Sequence, residues 1–271
     1  MPWTLDALPV ISRISMLTKQ LMSTLFLFAH PDDEFFCLPI IQREQSFGSH
    51  VVCVYLTDGG YNGQSIERRK AETIAALDNY GVNTEDIHFI GAEVGIPDGE
   101  LHKYLELAHS TLETKCKNLS LQRVFLPAWE GGHQDHDACH AIGVILCSNL
   151  GLTYALRQFS LYNGYQCRYL FKVMRALPNN GPVERVNVSL GSALRYLGTV
   201  RHYPSQWKTW LGLLPFAALQ VLRSRNYVLQ MVNVDRIKER PHPGMLLYER
   251  RTSVRHEDIA TLLGNLQDRL R

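Results

Sequence analysis

The 271-residue sequence has six cysteines, at 37, 53, 116, 139, 147 and 167, yet no C-x-x-C pair, which removes the zinc-ribbon and thioredoxin-type spacings. Scattered through apolar runs, these cysteines read as reduced core residues of a cytoplasmic protein. Net charge is nearly absent, +2 from 28 basic and 26 acidic side chains, so no overall field draws the chain to nucleic acid or an acidic membrane. There is no phosphate-binding loop, internal repeat or low-complexity linker. A secretory pattern is missing from the first 23 residues, where Asp6 interrupts the opening, and a short leader helix is expected there. A transmembrane run is missing too. Trp207 to Leu222 is poor in charge but shorter than the roughly 20 apolar residues of a span, and Pro215 interrupts it. Its apolar face is poorly separated from a polar one, which favours a core or subunit contact over peripheral membrane contact.

What is present is ordinary globular material, 45% hydrophobic and 20% charged, enough for one domain over residues 1–271. Thr24-Leu25-Phe26-Leu27-Phe28 is a short apolar run that stops at a polar loop, as a buried parallel strand does. Val51 to Leu56 repeats the pattern and ends in Asp58-Gly59-Gly60, expected to line a pocket mouth. A helix is expected between Ser65 and Tyr80, closed by Gly81. Ile87 to Ile90 reads as a third strand, Leu101 to Lys117 as a helix, Arg123 to Leu126 as a fourth strand, and Asp135 to Leu150 as another helix. Alternation of this kind implies an α/β, Rossmann-like open sheet, mainly parallel, with helices on both faces and ligands beyond the strands' carboxyl ends. The core is expected over 24–160, and 161–271 reads only as an α+β extension.

Two loops carry the chemistry. His30-Pro31-Asp32-Asp33-Glu34 places an imidazole and three carboxylates directly after the first strand, a concentration of charge that calls for a compensating cation if buried. The competing reading is a helix start, where acidic side chains are favoured by exposed amides. Gly131-Gly132-His133-Gln134-Asp135-His136 sets two histidines three apart at the start of a helix; alone, this is equally a capped helix with solvated imidazoles. Both clusters fall at carboxyl ends of parallel strands, so convergence on one site is the better reading. Two imidazoles and one carboxylate would leave a fourth position on zinc open for water.

In these motifs the chain resembles the LmbE-like, or PIG-L-type, N-acetylglucosaminyl deacetylase family, whose signature is A-H-P-D-D-E after the first strand and H-x-D-H near the fourth. Ala29 to Glu34 matches in full, and His133-Gln134-Asp135-His136 matches with Gln134 where many members have proline. Arg69-Lys70-Ala71-Glu72, Pro97-Asp98-Gly99 and Tyr203-Pro204-Ser205-Gln206 add weaker similarity. The resemblance implies one divalent ion per chain, zinc, on His30, Asp33 and His136, with Asp32 as general base and Glu34 opening the following helix. It further implies that His133 stabilises the oxyanion, Asp135 orients His133, and Arg69 and Asp98 touch sugar hydroxyls. The expected activity is hydrolysis of the N-acetyl amide of an N-acetylglucosamine-type conjugate, with a homo-oligomer left open. A metal-dependent phosphoesterase and a non-catalytic sugar-binding module are the alternatives. Intact Asp32 and His133 count against the module, since binding alone needs neither a base nor an oxyanion donor.

Overall fold

The computed structural model describes residues 22–168 and 170–270. The expected leader helix, 1–23, lies outside them except for its last two residues, and Ser23 already opens a strand.

Among the described residues nine strands are formed: β1 (Ser23–Phe28), β2 (His50–Tyr55), β3 (Ile87–His88), β4 (Leu121–Pro127), β5 (Leu156–Phe159), β6 (Tyr162–Asn163), β7 (Lys172–Val173), β8 (Val183–Asn187) and β9 (Asn226–Met231). Seven build one sheet in the order β3-β2-β1-β4-β5-β9-β8, and β6 with β7 makes a separate hairpin. The first five run parallel, whereas β9 is antiparallel to both β5 and β8. Strand order therefore reverses between β1 and β4, the place where a doubly wound sheet opens a crevice beyond its carboxyl ends.

Every residue of β1 is buried, and the pleat sends alternate side chains to opposite faces. Leu25, Leu27 and Ala29 enter one apolar layer; Phe26 and Phe28 enter the other, where Phe26 stacks on Phe125 at 4.6 Å. Helices cover both layers, as an apolar run without alternation requires. They are α1 (Leu38–Ser46), α2 (Ile66–Asp78), α3 (Ile90–Glu93), α4 (Leu105–Cys116), α5 (Gln134–Asn149), α6 (Leu190–Gly198), α7 (Trp207–Ser224) and α8 (His256–Arg269).

Two local expectations shift. The third strand ends at His88, and Ile90 starts the short α3 instead, because Gly91 lies so close to the Leu56 backbone that a Cβ would sit 2.2 Å from its carbonyl carbon. The helix expected from Leu101 begins as a 3-10 turn, Leu101–Lys103, before α4. The later part of the chain adds β9 and β8 to the edge of the main sheet, as expected of an α+β extension. In α7, Trp210, Leu213, Ala217 and Val221 pack inward, while Trp207, Leu211, Phe216, Leu219 and Leu222 are exposed. The apolar stretch is thus only half core. No described helix is long and apolar enough to cross a membrane. Cys37, Cys53, Cys116, Cys139 and Cys147 are buried free thiols, and Cys167 is a free, half-buried one.

Replacing Gly91 with alanine is expected to lower stability by about 2 kcal/mol or more, since backbone cannot give way as a side chain can; urea unfolding checks this. A pH effect follows from buried His140, whose Nδ1–H donates to the Pro127 carbonyl at 2.7 Å. Burial depresses its pKa from 6.5 to about 4. The unfolded chain thus takes up this proton first, and the penalty grows as pH falls through 6.5, levelling off below about 4. Relative to His140→Gln, the wild type should lose about 3 kcal/mol over that range; a constant difference would contradict it.

Candidate metal centre and catalytic pocket

The two motif loops meet at the switch point. Asp33 stands between the two histidines expected to join it: its Oδ1 lies 3.0 Å from His136 Nε2 and its Oδ2 lies 3.5 Å from His30 Nδ1. The same Oδ2 accepts the amides of Ala29 and His30 at 3.1 and 2.9 Å, so Asp33 is fixed by the end of β1. His136 comes from the first turn of α5, directly beyond β4. The rings of His30 and His136 are 5.2 Å apart.

The donor set is wider than the expected triple. His30, His133 and His136 each offer a nitrogen, all within 4.8 Å of one another, and His30, Asp98 and Asp135 form a second such group. Around His30 the side chains of Asp33, Asp98 and Asp135 are 6%, 7% and 0% exposed, and that of Asp32 13%. Burial works against a charged His30, but Asp98, Asp135 and Asp33 outweigh it and hold its pKa well above the usual value. Asp33 resists burial in the opposite sense and is held well below the carboxylate range by His136 and His30. Four carboxylates thus share one guanidinium and the imidazoles, and a divalent cation fits that shortfall of positive charge.

Asp32 occupies the left-handed backbone region at φ 107°, an uncommon conformation for a residue with a side chain. Two contacts hold it. Its amide donates to Glu34 Oε2 at 2.9 Å, and the Pro31 carbonyl on its other side accepts from Arg69. Glu34, fully buried, accepts also from Tyr203 Oη at 2.9 Å, and burial raises its pKa. Burial likewise pushes Asp32 up to about 8, against the pull of Arg69. Glu34 is the second residue of a 3-10 turn, Asp33–Cys37, that precedes α1.

His133 is the N-cap of α5, and its Nδ1 accepts the Asp135 amide at 3.2 Å. An accepting Nδ1 leaves the proton of the neutral ring on Nε2. Burial and the neighbouring His30 lower its pKa to about 4, so the ring is a neutral donor. The structure departs here from the expected role of Asp135: the main chain, not the carboxylate, orients His133. That carboxylate turns to His30 Nε2 at 3.1 Å and to the amides of Gly99 and Leu101 at 2.6 and 3.0 Å. First-turn amides are unpaired within a helix, which leaves the Asp135 N–H free for the ring. Gln134 donates to the Gly99 carbonyl at 3.1 Å, so the residue that replaces proline pins the same loop.

Arg69 and Asp98 line the pocket, yet both are committed to protein partners. Arg69 donates to Gly59 O at 2.6 Å, Asp98 Oδ2 at 3.0 Å and Asp32 Oδ1 at 3.2 Å. Asp98 Oδ1 lies 3.3 Å from His30 Nε2, and despite burial His30, His133 and Arg69 hold Asp98 far below the carboxylate range. Both sites position the motif. Asp58 also buttresses rather than lining the mouth, accepting the amides of Gly60 and Asp98.

A cavity of about 340 Å³ opens over these groups, walled in part by Tyr61, Gln64, Tyr162, Gln206, Trp210 and Arg251. Tyr162, Trp210 and Arg251 carried no motif signal. The Tyr203–Gln206 segment reaches in from far along the chain: besides the Tyr203 bond, Ser205 Oγ donates to Glu72 at 2.5 Å and Gln206 to Gln64 at 2.7 Å.

Residues 25–147 match the family model PIG-L: GlcNAc-PI de-N-acetylase, which bears out the resemblance in the motifs: the chain carries a PIG-L-type deacetylase domain. No curated protein matches it in sequence. Among solved structures, the zinc-inhibited form of teicoplanin deacetylase is 15% identical, with 77% of this chain and 97% of that one covered and a TM-score of 0.60. The N,N'-diacetylchitobiose deacetylase from Pyrococcus horikoshii is 16% identical, with 86% and 96% covered and a TM-score of 0.54. The 4-carboxy-2-hydroxymuconate hydratase from Pseudomonas putida is 15% identical, with 78% and 95% covered and a TM-score of 0.51. At such identities the likeness is one of fold.

Tyr203→Phe removes one donor from buried Glu34 and should cost about 1–3 kcal/mol. Denaturant unfolding measures it, and wild-type stability in the variant would contradict the clamp.

Proposed function

We propose that this PIG-L-type domain is a zinc-dependent hydrolase that removes acetate from the N-acetyl group of an N-acetylglucosamine-type conjugate. The observation that carries the reading is the convergence of buried Asp33, His30 and His136 beside a pocket that also holds Asp32 and His133. Family membership of the domain and two neighbours titled as deacetylases support it. The fold alone does not choose the reaction, since a hydratase shares it.

His30, Asp33 and His136 would hold the ion. When bound, it supplies Lewis-acid polarisation and lowers the pKa of water to roughly 7. Asp32, ionised when the neighbouring site carries its positive charge, takes the proton of the attacking water on Oδ and returns it to the amine nitrogen as the C–N bond breaks, its position set by Arg69 and by the strained main chain at residue 32. His133 Nε2–H donates to the amide oxygen as negative charge develops there, a contribution often worth several kcal/mol. Arg69, Asp98 and Asp135 act by positioning these groups, which leaves Tyr61, Gln64, Gln206 and Arg251 on the pocket wall to meet the sugar conjugate. We take residues 1–271 as a single catalytic unit, because Tyr203 and Ser205 complete the motif end of the sheet. The free buried thiols support a reducing compartment such as the cytoplasm.

Acetate release from soluble N-acetylglucosamine conjugates should vanish on chelation and return as zinc is added toward one equivalent; the zinc-inhibited form of the related teicoplanin deacetylase makes excess zinc a poor test. Asp32→Asn should keep its zinc and lose on the order of 10³-fold in kcat, whereas His30→Ala should lose metal. Equal turnover in Asp32→Asn and wild type contradicts the assigned base. Metal-restored phosphate release without acetate would support a phosphoesterase instead.

A further inference from the structure

The near-zero net charge hides a strong segregation. From Ala138 to Val234 the chain holds ten Lys or Arg and a single acid, Glu184, a local charge of +9 against −7 for the remainder. Glu184 is itself paired with Arg43 and Arg157. The same region carries the exposed stripe of α7, where Trp207, Leu211, Phe216, Leu219 and Leu222 are 59%, 71%, 40%, 64% and 42% exposed. Its 18 residues make a rod about 27 Å long. Apolar surface of this extent on a folded protein marks an interaction face.

Beside the stripe, a groove of about 190 Å³ between β7 and α7 has Phe171, Phe216 and Leu219 as its apolar wall and Lys172, Arg175 and Arg223 as its cations. Among the described residues none of the three cations pairs with a carboxylate; Lys172 lies 5.1 Å over the Tyr165 ring. The groove and the catalytic pocket are neighbours. Phe171 packs on Phe216 at 5.7 Å and on Tyr162 at 6.3 Å, and Arg251 lies 5.6 Å over its ring. Tyr162 and Arg251 line the pocket, as do Thr209 and Trp210 of α7.

We propose that α7 and the β7–α7 groove form a docking face for an anionic phospholipid bilayer, with the apolar stripe entering the interface and Lys172, Arg175 and Arg223 meeting headgroup phosphates. The combination of a leucine-rich stripe with unpaired cations is the chemistry of such a surface. A second copy docked symmetrically would set these cations against their own counterparts. Single-stranded nucleic acid calls for a stacking platform of aromatic rings, and the stripe is mostly leucine. Whole-chain charge argues against membrane contact only because it averages two oppositely charged regions. The inference goes beyond the deacetylase reading and does not require it.

The full chain is tested by cosedimentation with phosphatidylcholine vesicles and with mixed phosphatidylcholine–phosphatidylserine vesicles. It should pellet with the anionic vesicles only, and less so as salt rises. Arg175→Gln with Arg223→Gln should weaken binding about 25-fold, at about fivefold per cation. Independently, Leu211→Ser with Leu219→Ser should weaken it on the order of tenfold or more. Both pairs are exposed and outside the pocket, so far-UV circular dichroism and turnover of a soluble substrate should stay at wild-type values. No enrichment on anionic vesicles overturns the proposal. So does a dimer that the leucine pair breaks and vesicles leave untouched, or retention by single-stranded RNA instead of vesicles.

Discussion

The structure depends on an imbalance of charge gathered where β1 and β4 end. Asp32, Asp33, Asp98 and Asp135 crowd around His30, and Arg69 is the guanidinium placed among them. Burying that much negative charge is costly unless each oxygen is hydrogen-bonded and the sum is offset. Main-chain amides of residues 29, 30, 99 and 101 meet part of the requirement. A cation held in the proposed site would meet the rest, so the residues that are costly to bury without it are the ones that would bind it.

Around this centre, the supports are arranged to hold one strained residue. Asp32 sits at positive φ between an amide tied to Glu34 and a carbonyl tied to Arg69. Glu34 leads to Tyr203, and Glu72 leads to Ser205, so the segment ahead of α7 locks the motif from a distance of about 170 residues. Packing, strain and chemistry are therefore one system, and α7 links it to the outer face of the molecule. Its inward stripe completes the core, its start lines the pocket, and its outward stripe meets solvent.

Much of this was legible in the sequence. The apolar run Thr24–Phe28, with no polar alternation, could only be a strand covered on both faces, and β1 is that strand. The meeting of His30 with His136 followed from placing both loops beyond parallel strands. Other features had no local signal. Asp135 reads as a partner for the adjacent His133, yet its direction is decided by the amides of a loop 34 residues earlier. For Arg69, sequence shows residue type and not its bonds to Pro31, Gly59 and Asp32. The strand expected over Ile87–Ile90 stopped short because only the fold shows that Gly91 meets the Leu56 backbone. Alternation of apolar and polar residues also failed for α7, which is apolar on two faces for two different reasons.

The central claim is that one cation is held jointly by the loops after β1 and β4. Anomalous diffraction at the zinc edge from crystals grown with one equivalent of zinc tests it most directly. The account predicts a single peak bounded by His30, Asp33 and His136; density lacking such a peak, or a peak elsewhere on the chain, would contradict it.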